Sequence, residues 1–278
     1  KIRNIQESEG VMLLWIIVGV VAVCFLLDLL IKVVRPLGVV SPGPTTYALV
    51  TGASSGIGKE ISLTLARMGF NVVLVARSET VLDEMASQIR SKGVDAIVIA
   101  QDLSVRGAAL QVFDKIAALN RTRDQQILVE ILVNNAGFGC TAEFLSKDLS
   151  TYSEMMQLNV ASVVEMQHVF ARAMVERKRG RIMNLASVAG LHTCPLESVY
   201  CGTKAFVTKF SQASAHELRR YGVGVCVVHP GATRTNWAAV SNTRDSLIAN
   251  IPLFIQSAQE VAESSVAAMM KGKTSIVT

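Results

Sequence analysis

A tyrosine and a lysine four residues apart, Tyr200 and Lys204, are the pair in this sequence best suited to moving a proton. Residues four apart share one face of a helix, so the ammonium group can lie beside the phenol. A free tyrosine has a pKa of about 10, which is too high for efficient base chemistry near neutral pH. Because a neighbouring cation favours the phenolate, Lys204 should lower the pKa of Tyr200 and make it a usable proton donor or acceptor.

Ser187 ends an apolar run upstream of this pair. Its hydroxyl group could hydrogen-bond a substrate oxygen on which charge develops during hydride transfer. Each residue alone has an ordinary alternative, namely a solvated helix-surface pair for Tyr200 and Lys204 and a strand-end hydroxyl for Ser187. Their interpretation therefore depends on whether the chain also binds a hydride carrier.

The glycine-rich stretch Thr51–Gly58 joins a β-like apolar run to a helix-like run. Its glycines allow a sharp turn, close approach of the backbone to a ligand and tight packing of a helix on a strand. The N-terminus of that helix would present free N–H groups and a partial positive charge to a pyrophosphate. The spacing G-x-x-x-G-x-G differs from the G-x-G-x-x-G dinucleotide fingerprint and from the G-x-x-x-x-G-K-[ST] phosphate loop. An ordinary glycine-rich turn is the alternative.

Three further loops should meet this turn, because ligands of parallel α/β sheets bind outside the carboxyl ends of the strands. Arg77 follows the second predicted strand, where an acidic residue would bind the ribose of NAD and an arginine accommodates the 2′-phosphate of NADP. Asp102 and Leu103 follow the third strand, and Asn134–Gly137 follow the fourth. We expect NADP(H) and contacts to its adenine and ribose, although turn formation alone would also explain these residue types.

Apolar β-rich runs alternate with helical patterns from Tyr47 onward, which predicts βαβ units around a buried parallel sheet. The predicted fold class is α/β, with a single doubly wound (Rossmann-type) parallel sheet and helices on both faces. The predicted strands are Tyr47–Thr51, Asn71–Ala76, Ala96–Gln101, Ile127–Asn134, Arg181–Ala186 and Gly224–His229. The predicted helices are Ile57–Met68, Glu79–Lys92, Val105–Leu119, Leu149–Lys178 and Tyr200–Tyr221, followed by a last helix from about Gln256 to Met270.

Residues 11–34 form a long apolar run, interrupted toward its end by Asp28 and Lys32. It reaches the roughly 20 residues that a helix needs to cross a bilayer. We expect an N-terminal flank at 1–10, a transmembrane helix at 11–34, a Pro- and Gly-containing linker at 35–45 and a catalytic domain at 46–278. A buried helix of the globular domain is the alternative for 11–34. The sequence ends in what resembles the start of a strand, so the domain could be truncated there.

The amino-acid composition limits the kinds of partner that we expect for the chain. Half of the 278 residues are hydrophobic and the mean hydropathy is +0.39, which is high for a soluble domain. The net charge of +5 is not concentrated in any Lys/Arg block, so we expect no nucleic-acid partner. The five cysteines form no C-x-x-C pair, so we expect neither a metal site nor a disulfide framework.

Taken together, these motifs resemble the short-chain dehydrogenase/reductase family. The family's motifs occur in its order as Thr51–Gly58, Asn134–Gly137, Asn159, Ser187, Tyr200 with Lys204, and Pro230-Gly231. The resemblance implies that Tyr200 is the general acid/base, that Lys204 lowers its pKa and holds the nicotinamide ribose, that Ser187 orients the carbonyl and that Asn159 holds a water in a proton relay. The implied cofactor-binding residues are Thr51, Gly52, Ser54, Ser55, Gly56, Ile57, Gly58, Arg77, Asp102, Leu103, Asn135, Ala136, Gly137, Tyr200, Lys204, Pro230, Gly231, Thr233 and Thr235.

Within the family, the N-terminal span and the surrounding motifs look like the membrane-anchored lipid reductases, namely the 3-oxoacyl-CoA reductase and 17β-hydroxysteroid dehydrogenase group and, more distantly, the 3-ketosphinganine reductases. This implies NADPH-dependent reduction of a lipid-like ketone at the endoplasmic reticulum, with the catalytic domain facing the cytosol, in a homodimer or tetramer. The apolar residues between Gly231 and Gln256 would cover the substrate. Two alternatives are a membrane-bound NADPH-binding scaffold without turnover and an enzyme that oxidises an alcohol with NAD(P).

Overall fold

The computed structural model describes residue 12 and residues 15–26, 36–235 and 255–278. The chain divides into two units, Lys1–Pro36 and Leu37–Thr278. In the first unit, residues 15–26 form a helix (α1) whose apolar side chains are exposed. Among the described residues, no helix combines the length and the apolar character that a membrane crossing requires. The predicted span at 11–34 lies partly outside the described residues, and it stays a prediction, as do the domain boundaries.

The described residues of the second unit, 37–235 and 255–278, form nine strands. They are β1 (Thr46–Thr51), β2 (Asn71–Ala76), β3 (Ala96–Ala100), β4 (Leu128–Asn134), β5 (Gly180–Leu185), β6 (Val223–His229), β7 (Thr233–Arg234), β8 (Gln256–Ser257) and β9 (Ser275–Val277). Seven of them form one sheet in the order β3-β2-β1-β4-β5-β6-β9, with every pair parallel, and β7 pairs with β8 separately. The strand order reverses between β1 and β4, which places a crevice at the carboxyl ends of these two strands.

Helices cover both faces of the sheet. They are α2 (Gly56–Arg67), α3 (Glu79–Arg90), α4 (Ala108–Asn120), α5 (Leu149–Met156), α6 (Ser162–Glu176), α7 (Ser198–Arg219) and α8 (Ala258–Met270). Successive residues of β1 point to opposite faces, so Ala48 and Val50 pack with α2, α3 and α8 while Tyr47 and Leu49 pack with α4, α6 and α7. Each large apolar side chain buried in these layers contributes about 1.5–3 kcal/mol. The predicted Rossmann-type fold with a parallel sheet is therefore confirmed.

The structure corrects three details of the predicted elements. The main sheet has a seventh strand, β9, which pairs with β6. The predicted helix Leu149–Lys178 is two helices, α5 and α6, joined by the π-helical segment Gln157–Ala161. The predicted start of α4 at Val105 is wrong, because Gly107 has φ 80° and the helix begins only after this left-handed residue. The predicted substrate cover falls largely on residues 236–254, which lie outside the described residues.

Candidate active site

The glycine-rich turn between β1 and α2 forms one end of the crevice. Gly52 and Gly56 adopt φ 64° and 54°, a left-handed conformation that favours glycine. A Cβ on Gly58 would overlap the Asn135 amide nitrogen and the Gly52 carbonyl oxygen, so only glycine lets α2 approach β1 this closely. The resulting backbone cradle leads into the N-terminus of α2, which suits an anionic phosphate group.

The end of β4 is tied to this turn by side-chain hydrogen bonds. Thr51 Oγ1 accepts hydrogen bonds from the backbone N–H groups of Asn135, at 2.9 Å, and Ala136, at 3.0 Å. Asn135 Nδ2 donates to the carbonyl oxygens of Thr51, at 2.9 Å, and Gly52, at 3.2 Å. The Asn135 amide therefore fixes the shape of the glycine-rich turn, a role that the sequence did not predict beside its expected cofactor contact.

Arg77 and Asp102 lie at the carboxyl ends of β2 and β3. The Arg77 side chain is exposed. Burial raises the pKa of the Asp102 carboxyl, but hydrogen bonds from Ser104 and the positive charge of Arg77 outweigh this effect and leave the pKa lowered. Ala76 pairs with Ala100 in the parallel strands β2 and β3, so the two residues that follow these strands lie on the same edge of the sheet. The Leu103 side chain is buried in the core, so only its backbone could face a ligand.

At the other end of the crevice, Tyr200 and Lys204 lie in the first turns of α7, and both side chains are buried. Lys204 Nζ donates a hydrogen bond of 2.8 Å to the carbonyl oxygen of Leu185, and it lies 5.9 Å from the centroid of the Tyr200 ring. Burial lowers the pKa of Lys204 to about 8. The predicted proximity of this pair is therefore present in the structure.

The pKa of Tyr200 is not lowered, contrary to the prediction from the neighbouring Lys204. Burial raises the pKa of Tyr200 above its ordinary value, a hydrogen bond with Ser187 opposes the rise, and the charges of Glu197, Cys201 and Cys194 add to it. The net shift is upward, opposite in direction to the predicted effect of the neighbouring lysine. A phenol with a raised pKa holds its proton at neutral pH, as a proton donor must.

Ser187 is positioned by the backbone that follows β5. It precedes the short 3₁₀ helix Val188–Gly190, and its Oγ accepts a hydrogen bond of 3.1 Å from the N–H of Ala189. The N–H of Val188 donates to the carbonyl oxygen of Pro230 at 3.1 Å. These bonds hold the Ser187 hydroxyl beside that of Tyr200, as a shared role on one substrate oxygen requires.

Asn159 lies in the π-helical segment between α5 and α6 and is 0% exposed. Its Oδ1 accepts from the N–H of Phe138 at 3.0 Å, and its Nδ2 donates to the Phe138 carbonyl at 2.8 Å. A Cβ on Gly137 would lie 2.9 Å from Asn159 Oδ1 and 3.4 Å from Lys204 Nζ. Gly137 therefore lets the Asn159 amide and the Lys204 ammonium approach the same point.

The remaining predicted residues lie along the same edge of the sheet. The Gly231 N–H donates to the Thr278 carbonyl, and Thr233 Oγ1 donates to the Gly231 carbonyl, each at 3.0 Å. Thr235 lies against the glycine-rich turn, since a Cβ on Gly56 would come 3.2 Å from its methyl group. Within the turn, Ser54 and Ile57 are half-buried, and Ser55 is exposed at the N-cap of α2.

A family model described as short chain dehydrogenase matches residues 46–246 of the chain. The chain belongs to the short chain dehydrogenase family. Relatives of this short chain dehydrogenase include the very-long-chain 3-oxoacyl-CoA reductases of Ajellomyces capsulatus, 37% identical over 187 residues, and Homo sapiens, 35% identical over 206 residues. The matches cover 66% and 72% of this chain but 53% and 64% of those relatives, so the chain spans only part of their length.

The short chain dehydrogenase also resembles solved structures. The short-chain dehydrogenase from Sphingobium yanoikuyae in complex with NADPH has a TM-score of 0.73 and 29% sequence identity, over 84% of this chain and 87% of that chain. The resemblance that the motifs predicted is confirmed, including its similarity to the 3-oxoacyl-CoA reductases.

One contact in the site of this short chain dehydrogenase was not predicted. Thr203 Oγ1 accepts a hydrogen bond of 3.1 Å from Asn159 Nδ2 and donates one of 2.7 Å to the carbonyl oxygen of Tyr200. It therefore links the π-helical segment to the helix that carries Tyr200. The only signal in the sequence is a threonine immediately before Lys204, which is too common a residue to indicate this role.

Proposed function

We propose that this short chain dehydrogenase is an NADPH-dependent reductase that converts the ketone of a lipid-like substrate into an alcohol. The observation that carries the proposal is the geometry of the catalytic end, where the buried Tyr200 phenol is hydrogen-bonded to Ser187 and lies close to Lys204. A protonated phenol beside a second hydroxyl group can donate a proton to a substrate oxygen, which is the step that carbonyl reduction needs. The names of the relatives favour a 3-oxoacyl thioester over a ketosphinganine or a steroid.

The residues present fit a nicotinamide dinucleotide. The backbone cradle at Gly52 and Gly56, where side chains are excluded, leads into a helix N-terminus that suits a pyrophosphate. Exposed Arg77 would hold the 2′-phosphate of NADPH, while Asp102, Ala136, Gly137 and the segment from Pro230 to Thr235 would border the rest of the cofactor. The NADPH complex of the similar Sphingobium yanoikuyae enzyme supports this assignment. When bound, the cofactor would supply the hydride.

The side chains of the chain itself supply the other half of the reaction. Ser187 would donate a hydrogen bond to the substrate carbonyl oxygen and hold the carbonyl carbon toward the hydride donor. As the carbon gains the hydride and the C=O π bond breaks, the Tyr200 O–H would give its proton to the oxygen, which completes the alcohol. Lys204 and Asn159 lie next to each other at Gly137. The Lys204 ammonium group would pass a proton to the Tyr200 oxygen and regain one from a solvent water held by the Asn159 amide.

We further propose that the apolar segment at 11–34 anchors the enzyme in the endoplasmic reticulum membrane, with the domain at 46–278 facing the cytosol. The apolar composition of this segment supports the proposal, as do the described residues 15–26, which form a helix with exposed apolar side chains. Pairing into a homodimer or tetramer is a proposal that rests on the family resemblance alone.

A substrate screen tests the proposed activity. The full chain in detergent or liposomes would be given NADPH with a long-chain 3-oxoacyl-CoA, 3-ketosphinganine or a steroid ketone, and NADPH oxidation would be followed by absorbance. We expect the 3-oxoacyl-CoA to be reduced fastest. NADPH binding without reduction of any ketone would support the scaffold alternative, and a preference for NAD with an alcohol substrate would support oxidation.

Tyr200→Phe tests the mechanism. We expect kcat to fall by about 10³-fold because the proton donor is lost, while the Kd for NADPH stays unchanged. Tyr221→Phe is the matched control, since this tyrosine follows α7 and is partly exposed. If Tyr200→Phe turned over at the wild-type rate, the proposed role of the phenol would be wrong.

A further inference from the structure

Three metal-ligating side chains that the proposed mechanism does not use meet at the start of α7. The Sγ atoms of Cys194 and Cys201 and a carboxylate oxygen of Glu197 all lie within 4.8 Å of one another. The two cysteines are seven positions apart along the chain, so the sequence, which lacks a C-x-x-C pair, did not indicate that they would meet. The fold therefore assembles a ligand set that the spacing alone does not show.

Two consecutive backbone turns bring the set together. The Glu197 N–H donates to the Cys194 carbonyl oxygen at 3.1 Å, which closes a turn with Pro195 second and Leu196 third. Leu196 has φ 69°, the left-handed conformation that the third position of a type II turn requires. The Cys201 N–H then donates to the Glu197 carbonyl oxygen at 2.8 Å, so one helical turn places Cys201 on the same face as Glu197.

The surroundings of the three residues suit a bound ion. Thr141 Oγ1 donates a hydrogen bond of 2.7 Å to Glu197 Oε1, which orients the carboxylate and leaves its other oxygen available. Cys194 and Cys201 also line an open cavity together with His192, Thr193, Pro195, Ser198, Gly202 and Ala205, so an ion can reach the thiols from solvent. A water molecule would then take the fourth position.

The chemistry of the donors selects the ion. Two thiolates and one carboxylate match the sulfur and oxygen ligands of Zn²⁺, which prefers four ligands in a tetrahedral arrangement. Mg²⁺ and Ca²⁺ prefer oxygen ligands and would not favour two sulfurs. Burial and the neighbouring Cys194 thiol raise the pKa of Cys201 to about 12, so binding must displace the thiol protons into solvent.

We propose that Cys194, Glu197 and Cys201 form a binding site for one thiophilic divalent cation of the Zn²⁺ class, made of residues to which the proposed ketone reduction assigns no role. The site is defined by two thiolate ligands, one carboxylate ligand and one exchangeable position. It does not depend on the proposed reductase activity, because it requires neither NADPH nor a ketone.

Titration of the reduced full chain with Co²⁺ tests the proposal, because tetrahedral cobalt–thiolate centres absorb in the visible and near-ultraviolet. We expect one Co²⁺ per chain, displaced by Zn²⁺, with the thiolate absorption lost in Cys194→Ser and in Cys201→Ser. Glu197→Gln should weaken binding by at least about tenfold. Cys24→Ser is the matched control, since Cys24 is an exposed thiol in α1, and it should bind like the wild type.

A second measurement needs no variant and so is independent of whether the variants fold. Zn²⁺ should slow alkylation of Cys194 and Cys201, but not of Cys24, when each site is followed by mass spectrometry. The proposal would be overturned if the wild type showed no cobalt–thiolate absorption, if the absorption survived in the Cys194→Ser/Cys201→Ser double variant, or if Zn²⁺ left the alkylation of both cysteines unchanged. Neither readout involves turnover, so failure of the proposed reductase function would leave these results interpretable.

Discussion

The two ends of the crevice hold their functional groups in different ways. At the nucleotide end, the groups available to a ligand are backbone amides of the turn at Gly52 and Gly56 and the exposed guanidinium of Arg77. At the catalytic end, Tyr200 and Lys204 are buried side chains that are bonded to neighbouring groups. The first end depends on backbone geometry, and the second depends on side chains that only the complete fold brings together.

A buried network behind the catalytic end shows this dependence. Asn134 Nδ2 donates to Asn184 Oδ1, and Asn184 Nδ2 donates to Gln167 Oε1 and Ser211 Oγ, each at 2.8 Å. These four residues come from β4, β5, α6 and α7, and all are buried. An unpaired polar group at this depth would cost about 1–3 kcal/mol, so the network favours one arrangement of the elements that carry Lys204 and Asn159.

The largest effect is expected on the affinity for NADPH in the variant Arg77→Gln. This substitution changes the nucleotide end of the crevice, and the exposed Arg77 lies outside the buried core. It should weaken NADPH binding between about tenfold and a hundredfold, because a charge-assisted hydrogen bond to the 2′-phosphate contributes about 1.5–3 kcal/mol. NADH lacks that phosphate, so its Kd should change little and serves as the internal control. Both constants can be measured by fluorescence titration, and an equal loss for both cofactors would contradict the assignment of Arg77.

Lys204→Met changes the catalytic end of the crevice. We expect this substitution to alter how the free energy of unfolding depends on pH. The lowered pKa of Lys204, about 8, lies below its value in the unfolded chain, about 10.4. Between pH 8 and 10 the unfolded chain therefore binds the proton that the folded chain has lost, and stability rises with pH. The free energy of unfolding of the wild type should gain about 2 kcal/mol over that of the variant across this window.

Denaturant unfolding at several pH values measures that gain. Lys209→Met is the matched control, because Lys209 is an exposed lysine of the same helix, and its difference from the wild type should stay constant with pH. If the free energies of unfolding of the wild type and Lys204→Met also differed by a constant amount at every pH, burial would not disfavour the charged form of Lys204. The catalytic end would then resemble the solvent-exposed nucleotide end in this respect.

The smallest effect is expected at the turn before α7. Leu196→Gly should raise the free energy of unfolding by about 0.5–1 kcal/mol, because the left-handed conformation costs a leucine about 1–2 kcal/mol and glycine offsets part of this gain through its entropy. Leu191→Gly is the matched control, because Leu191 is 50% exposed and Leu196 is 52% exposed. Leu191 has φ −98°, which leucine adopts without strain, so glycine at this position should lower the free energy of unfolding. Thermal unfolding of both variants measures this, and equal shifts would indicate that the turn is unstrained.

The sequence predicted most of the fold because βαβ alternation and the glycine spacing are local patterns, and β2 was predicted with its observed bounds. It also predicted that the loop after β4 lies beside the glycine-rich turn, and hydrogen bonds between Asn135 and Thr51 join the two in the structure. It could not predict the direction in which the pKa of Tyr200 shifts, because burial of the phenol dominates that shift and depends on the packing of the complete fold. The proximity of Cys194 and Cys201 depends on the left-handed backbone conformation of Leu196. Leucine rarely adopts this conformation, so the sequence did not indicate it.

The π-helical segment between α5 and α6 has a consequence for how this site could be altered. A π-type turn contains one residue more than an α-helical turn, so the side chains after it are rotated by about 100° relative to an uninterrupted helix. Asn159 lies within this insertion. The orientation of its amide therefore depends on the number of residues in this segment, so deletion of one residue just before Asn159 would rotate the amide away from Phe138.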